Sequence, residues 1–459
     1  MTLKHAATLA AETGARASCA VRAAGRFARH GVDAARGLLG KFGRARWALV
    51  DQCTMSASNF LTIFLFARNL DAATFGSFML AYTGLQLMTN LQNALVIQPH
   101  NVLAAGLAQP EYGRFTGALA LLQLVFCLTA AAVLAAAGWV VTLVYSDSIG
   151  HTLVVLAMAS VPWMGQEFVR RVLYTRGDSR SAALNDGVTY GLQLFGAVVL
   201  VHAAAGWATP ASALWVLGLS SAIGLLVGVW QLRQQVSFDG GTFKRAWAEA
   251  WHFGKWLTAQ NILAWFGSQG HSWVVVALLG VEKVGLYRAA THLANVMNPL
   301  MQICFSYLPS RGSLAHQAGG AEGLSKWVKR MQGTLLVAIA PFLVVLVLFP
   351  GPILDLAYDG KYAGTDLPLI LAMMALAQTI MFLKFPFDIG LLALRSTKSI
   401  FFAYLVPVAM LLTSGVTLIY FFGILGVPMS GILINAALLA TTWLAYRKRL
   451  KADAGNALS

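Results

Sequence analysis

The chain has 459 residues, of which 58% are hydrophobic and only 11% charged, with a mean hydropathy of +0.66. No water-soluble chain of this size presents such a balance to solvent, so the solvent must be lipid, and the lack of any long polar stretch leaves one membrane domain and no separate globular one. The net charge of +15 suggests nucleic acid as a partner, but the basic residues are bunched at the two ends and in alternate loops, which is how a membrane protein records its orientation, so no nucleic acid is expected.

Residues 1–46 form a basic arm carrying Arg16, Arg22, Arg26, Arg29, Arg36, Lys41, Arg44 and Arg46 against Glu12 and Asp33. It lacks the apolar core of a secretory signal. Each basic residue near an anionic lipid surface adds about 1 kcal/mol of attraction, so the arm is expected on the cytoplasmic face of a membrane. The chain then falls into runs long enough to cross a hydrocarbon core. Six lie near 47–70, 74–98, 115–145, 149–172, 181–204 and 210–232. Six more lie near 252–279, 284–308, 327–349, 366–392, 399–422 and 424–446. The expected fold is an all-α polytopic membrane protein of about twelve transmembrane helices, with a first bundle at 47–232, a linker at 233–251, a second bundle at 252–446 and a tail at 447–459. In the linker Phe243, Trp247 and Trp251 recur four apart among Lys244, Arg245 and Glu249, the pattern of a short interfacial helix. The loop 311–326 is the other long connection on that side.

Taken loop by loop, one side collects Arg114, Arg170, Arg171, Arg176, Arg180, Arg233, Arg311, Lys326, Arg395, Lys398 and the tail Arg447, Lys448 and Arg449, while the other has only Arg68, Lys283, Arg288 and Lys361. Basic residues resist translocation, so the rich side is expected to be cytoplasmic with both termini inside, which requires an even number of spans. Cys19, Cys53, Cys127 and Cys304 lie far apart, and neither a disulfide nor a metal site is inferred from them.

The two bundles resemble each other. Ala73-Thr74-Phe75-Gly76-Ser77-Phe78 matches Lys283-Val284-Gly285-Leu286-Tyr287, and Gln98-Pro99-His100-Asn101-Val102-Leu103 matches Leu308-Pro309-Ser310-Arg311-Gly312-Ser313-Leu314, both at an offset of about 210 residues. A third echo pairs Leu173-Tyr174-Thr175-Arg176-Gly177-Asp178-Ser179-Arg180 with Ala393-Leu394-Arg395-Ser396-Thr397-Lys398. Six helices repeated in the same orientation are related by an axis along the membrane normal, an arrangement found in transporters that bind between their halves.

Asn59-Phe60 through Phe66-Ala67-Arg68-Asn69-Leu70, followed by Phe75-Gly76-Ser77-Phe78, resembles the opening helix pair of bacterial polysaccharide flippases of the Wzx type. Phe253-Gly254-Lys255-Trp256 with Gly285-Leu286-Tyr287, Pro299 and Pro309 is similar to the pair that opens the second half. That family belongs to the multidrug/oligosaccharidyl-lipid/polysaccharide exporter superfamily. The resemblance implies two pseudo-symmetric six-helix bundles around a central cavity, an undecaprenyl-pyrophosphate-linked sugar unit as substrate, alternating access across the bacterial inner membrane, and cavity cations that meet the pyrophosphate. It also implies service to surface polysaccharides such as exopolysaccharide or lipopolysaccharide, with a polysaccharide polymerase, glycosyltransferases and membrane lipids as partners.

Ionisable groups inside spans are costly and turn toward protein or water, which makes them candidates for the site. Arg68 ends the first helix, while His271 and His292 lie roughly 12 to 15 Å inside the far ends of the seventh and eighth. Arg288 is one turn from His292 on the same face. These four are the expected substrate cations, because Arg meets phosphate with a planar fork and His by titrating; the bland reading has the arginines snorkelling and the histidines bridging helices. Asp51 and Lys255 hold equivalent positions in the two repeats and form a candidate inner gate. Glu167, Lys384 and Asp388 are candidates for ion coupling, although Lys384 and Asp388 at i and i+4 can also neutralise each other. Asn59, Asn90, Asn93, Gln260, Asn261, Gln269, Asn295 and Asn298 are the expected polar lining, since amides both donate to and accept from sugar hydroxyls. Pro99, Pro299, Pro309, Pro350, Pro386 and Pro407 are expected at hinges or helix ends.

There is no Gly-rich phosphate loop with its Lys, no HExxH pair and no Ser nucleophile in a G-x-S-x-G setting. No enzyme activity, cofactor or metal is therefore expected. The alternatives to a flippase are a cation-coupled multidrug exporter of the same superfamily, whose cavity should be acidic, and a non-transporting component of a polysaccharide synthesis complex.

Overall fold

A computed structural model describes residues 47, 50–104, 107–144, 147–203, 205–362, 364–394 and 396–456, without the side chains at 148, 205, 256, 260, 297–307, 309–310, 397–398 and 455–456. The basic arm lies outside the described residues, as do the side chains of Arg395, Lys398, Gln260 and Asn298. Every regular element among the described residues is helical.

Among the described residues twelve long helices run back and forth. Helix α1 covers 50–69. Helix α2 is Ala72–Gln92, prolonged by π turns at Asn93–Ile97 and His100–Ala104 on either side of Pro99, where the missing proline N–H interrupts the regular ladder. Helices α3 (Glu111–Val144), α4 (Asp147–Thr175), α5 (Ser179–His202) and α6 (Pro210–Leu232) complete the first lobe. Helix α7 is Gly240–Leu279. Helix α8 starts at Val281–Ala294 and runs on through a 3-10 turn to residue 318, where Gly319 and the left-handed Gly320 (φ +55°) divide it from α9 at 321–348. A short helix Pro350–Tyr358 precedes α10 (Leu367–Ala393). Helix α11 runs from Thr397 to Phe422 through a π turn at Leu411–Gly415, and α12 is Gly426–Asn456.

Eight stretches among the described residues are long and apolar enough to cross a membrane unaided, and the longest, Ser399–Ala454, reverses at Gly423 to make two passes. Helices α1, α2 and the first part of α8 are the more polar members. Polar spans are tolerated where protein rather than lipid surrounds them, and these three sit where the two lobes meet. In the first lobe α3 packs on α4, and α6 packs on both α4 and α5; in the second, α10 packs on α9 and α12, with α11 against α12. The lobes join through α2 with α8 and α7, and through α3 with α7.

The largest apolar core runs across this junction, from Phe66, Phe75 and Phe78 to Leu286, Ala290, Tyr358 and Leu371. At its centre the glycines of the sequence repeat face each other. A Cβ on Gly76 would strike the Val281 carbonyl, and one on Gly285 would strike the Ala72 carbonyl and lie 3.0 Å from the Gly76 nitrogen. Two backbones in contact without side chains between them close the end of the molecule away from the basic loops, here termed the far side.

Two expectations about connections are corrected. The interfacial helix expected in 233–251 is no separate element, because residues 240–251 continue unbroken into α7. Ala246 and Ala250 are buried on the first lobe while Trp247 and Trp251 are exposed, so the small residues face the protein and the aromatic ones face outward. The loop expected at 311–326 is likewise mostly helix, reduced to the kink at Gly319 and Gly320.

Candidate functional site

A cavity of about 340 Å³ opens inside the second lobe, lined by α7, α8, α10, α11 and α12. Its principal charge is Arg288, 9% exposed. The Nε donates to the Ser272 hydroxyl at 2.9 Å and an Nη to Gln269 Oε1 at 2.6 Å, while the guanidinium lies 5.3 Å from the centre of the Tyr287 ring. These partners orient the fork without cancelling its charge. No carboxylate pairs with Arg288 among the described residues. Across the cavity Lys384 lies 5.1 Å from the Tyr404 ring centre and pairs with Asp388 at 2.7 Å, so its charge is locally compensated. His271 meets the Ser430 hydroxyl at 2.9 Å. Gln378 donates to Asn295, and Asn435 donates to the Ala377 carbonyl at 2.9 Å.

The four cations expected in one cluster are divided by the fold. Arg288 and His271 line the cavity. His292 faces α1 instead, at 3.0 Å from the Phe60 carbonyl and stacked on the Phe60 ring at 4.5 Å. Arg68 belongs to the far-side closure, 3.6 Å from Asp359. Beside it Lys361 donates to the carbonyls of Ala67, at 2.8 Å, and Leu70, while Tyr358 donates to the Ala289 carbonyl at 3.0 Å. The segment after α9 thereby ties the end of α1 to the second lobe.

The expected gate pair does not meet. Lys255 is exposed, and Asp51 is fully buried inside the first lobe, where it accepts from Arg170 at 3.1 Å and from the Tyr174 hydroxyl. Arg170 also pairs with Asp186 at 2.5 Å and with Glu167 at 3.4 Å. Glu167 takes a second cation, Arg171, at 2.7 Å. Gln166 adds a bond to Asp186 at 2.9 Å. By charge count Arg170 groups with the loop cations, whereas Asp186, absent from the expected site residues, is the only carboxylate inside the α5 span and so carries the sequence signal of an ionisable group in lipid. Glu167, Lys384 and Asp388 are thus all in ion pairs in this conformation.

The amides divide in the same way. Asn59 accepts from Gln193 at 3.0 Å within the first lobe. Asn261 donates to the Asn90 carbonyl at 3.0 Å and Trp265 to the Thr83 carbonyl at 3.1 Å, which stitches α7 to α2. Asn93 opens the first π turn of α2. Gln269 and Asn295 reach the cavity. Among the described residues no three His, Cys, Asp or Glu side chains gather as metal ligands would. The arrangement can hold an anionic group at Arg288 inside a ring of amides and hydroxyls.

The sequence model of a family described as polysaccharide biosynthesis protein matches residues 115–365. No curated protein matches the chain. Among solved structures, an inward-facing multidrug resistance MATE family transporter of the MOP superfamily superposes with a TM-score of 0.70 at 13% identity, over 88% of this chain and 98% of its own. An outward-facing MATE transporter gives 0.62 at 14%, over 89% and 95%. A MOP superfamily transporter from Pyrococcus furiosus, described as having a binding pocket of reverse polarity that suggests a different function, gives 0.56 at 13%, over 89% and 95%. The likeness to all three is one of fold.

Proposed function

Starting from a chain that belongs to the polysaccharide biosynthesis protein family and has the fold of MOP superfamily transporters, we propose that it is a flippase for a lipid-linked oligosaccharide of the undecaprenyl-pyrophosphate type. The basic side faces the bacterial cytoplasm, and the cargo enters there and leaves on the far side for surface polysaccharide assembly. The observation that carries this reading is Arg288, a buried guanidinium held open by neutral partners in a cavity whose largely apolar wall also presents amides and hydroxyls. A pyrophosphate stripped of water needs such a donor fork, and amides such as Gln269 and Asn295 suit the hydroxyls of a sugar beside it. At about 340 Å³ the cavity has room for the phosphates and the nearest sugar, while the polyprenyl chain stays in lipid.

Deleting the gene is expected to abolish the surface polysaccharide and to accumulate its lipid-linked unit on the cytoplasmic leaflet. Normal surface polymer in the deletion strain overturns the proposal. The second reading, export of organic cations, is favoured by the likeness of fold to multidrug transporters; it predicts intact polymer together with loss of cationic dye efflux.

A further inference from the structure

We propose that a groove on the outer flank of the first lobe binds one acyl chain of an anionic phospholipid in the leaflet on the basic side, with the headgroup at Arg233. The groove encloses about 330 Å³ between α3, α4 and α6, and its walls include Leu124, Val161, Phe168, Leu225 and Val229. Its basic end is closed by Val236 and Phe238. They belong to the segment joining α6 to α7, which the Ser237 N–H fastens to the Gly113 carbonyl at 3.1 Å. Gly113 and Gly117 allow that segment to lie directly on α3, since a Cβ at either would run into its backbone carbonyls.

Size and charge select the occupant. An apolar cavity of about 150 Å³ takes a benzene ring, so this one takes roughly a dozen carbons, a large part of an acyl chain and several times too few for an undecaprenyl tail. From Arg233 to Leu225 along α6 is roughly 12 Å at the helical rise, a depth within a single leaflet. Arg233 is exposed, its guanidinium is 4.4 Å from the centre of the Trp230 ring, and no carboxylate pairs with it among the described residues. Its Nη1 also donates to the Trp230 carbonyl at 2.9 Å, which holds the charge over the ring, and a cation so placed at the membrane surface without a carboxylate partner is suited to an anionic headgroup. The inner wall also includes Gln123, which accepts from Gln92 of α2 at 3.2 Å, so an occupant touches a helix of the lobe junction through one side chain.

The test uses the full-length chain in phosphatidylcholine nanodiscs doped with a phosphatidylglycerol that carries a photoactivatable diazirine in its acyl chain. Adducts are expected on peptides covering 120–128, 161–169 and 225–238. A phosphatidylcholine version of the probe should label them about five-fold less, the worth of one basic residue at an anionic surface. Arg233→Gln, a surface change, should erase that preference, and Ala120→Trp, which fills the groove, should abolish the adducts. Even labelling over all lipid-facing helices, equal labelling by the two probes, or displacement by undecaprenyl phosphate at concentrations where unlabelled phosphatidylglycerol has no effect would each overturn the proposal. The gene-deletion experiment does not depend on the outcome.

Discussion

Arg288 and Arg170 are both buried arginines, and their surroundings give them opposite work. Arg288 is held by a hydroxyl, an amide and an aromatic ring, none of which neutralises it. Arg288→Ala is expected to cut polymer production in a complemented deletion strain by about ten- to hundred-fold at unchanged protein level, the value of charge-assisted hydrogen bonds. Arg288→Lys should recover only part of it, because a point charge lacks the fork. Arg170 is surrounded by Asp51, Glu167 and Asp186 and neutralises the interior of its own lobe. Arg170→Met strands two fully buried carboxylates and is expected to cost about 3 to 5 kcal/mol, read as a lower melting temperature of the solubilised protein. Arg171→Met, at a position 42% exposed, should change it little. The sequence marks both arginines as ionisable, but a count of charges per side cannot tell a guanidinium facing lipid headgroups from one turned into a lobe.

Among the elements, α2 and α8 determine whether the far side is shut. Their contact rests on Gly76 and Gly285, where any side chain meets backbone. Gly285→Val should therefore hold the helices apart, and a cysteine placed at Ser268 in an otherwise cysteine-free background should become reactive toward a membrane-impermeant thiol reagent added on the far side; unchanged protection refutes this. Helix α7 makes a separate point about local sequence. Its start is capped by Asp239, whose carboxylate accepts from the Thr242 hydroxyl at 2.7 Å and the Gly241 N–H at 3.2 Å. Those bonds to the charged form hold the Asp239 pKa below the ordinary carboxylate value. The cap is thus fully formed above about pH 3.9, the unfolded value, and is lost as pH falls through the lower folded one. Hydrogen-exchange protection at Gly241 and Thr242 should drop in that acid range and be independent of it in Asp239→Asn. Apolar run length locates the spans but not the helix ends, which run on to residue 318 in α8 and to Asn456 in α12; nor does it foresee that 240–251 joins α7, since amphipathic spacing says nothing about which neighbour a helix leans on.

For the whole molecule, the lobes are locked at the far side by the glycine contact and by the segment bearing Tyr358, Asp359 and Lys361. The proposed flippase cycle, by alternating access, requires that lock to open. In a cysteine-free background, joining Arg68→Cys to Asp359→Cys with a short, cleavable thiol cross-linker should stop polymer export, and cleaving the linker should restore it. Export that continues while the link is intact shows that the lobes need not part there.

The sequence alone determined that the chain is a helical membrane protein, that its apolar runs number about twelve, and that the motifs of the first half recur in the second. Each of these rests on a constraint that acts along the chain: the bilayer demands a fixed length of apolar residues, and loop charge records the side. Even the glycine contact was visible as two motifs at a constant offset, though not as a contact. Only the tertiary structure decided that Arg288 and His271 share a cavity while His292 and Arg68 do not, that Asp51 belongs to Arg170 and not to Lys255, and that Asp186 matters. The physical reason is that a span with apolar residues on every face carries no signal for its rotation about its own axis. That rotation is set by the helices packed around it, through small-residue contacts and hydrogen bonds between residues more than a hundred positions apart.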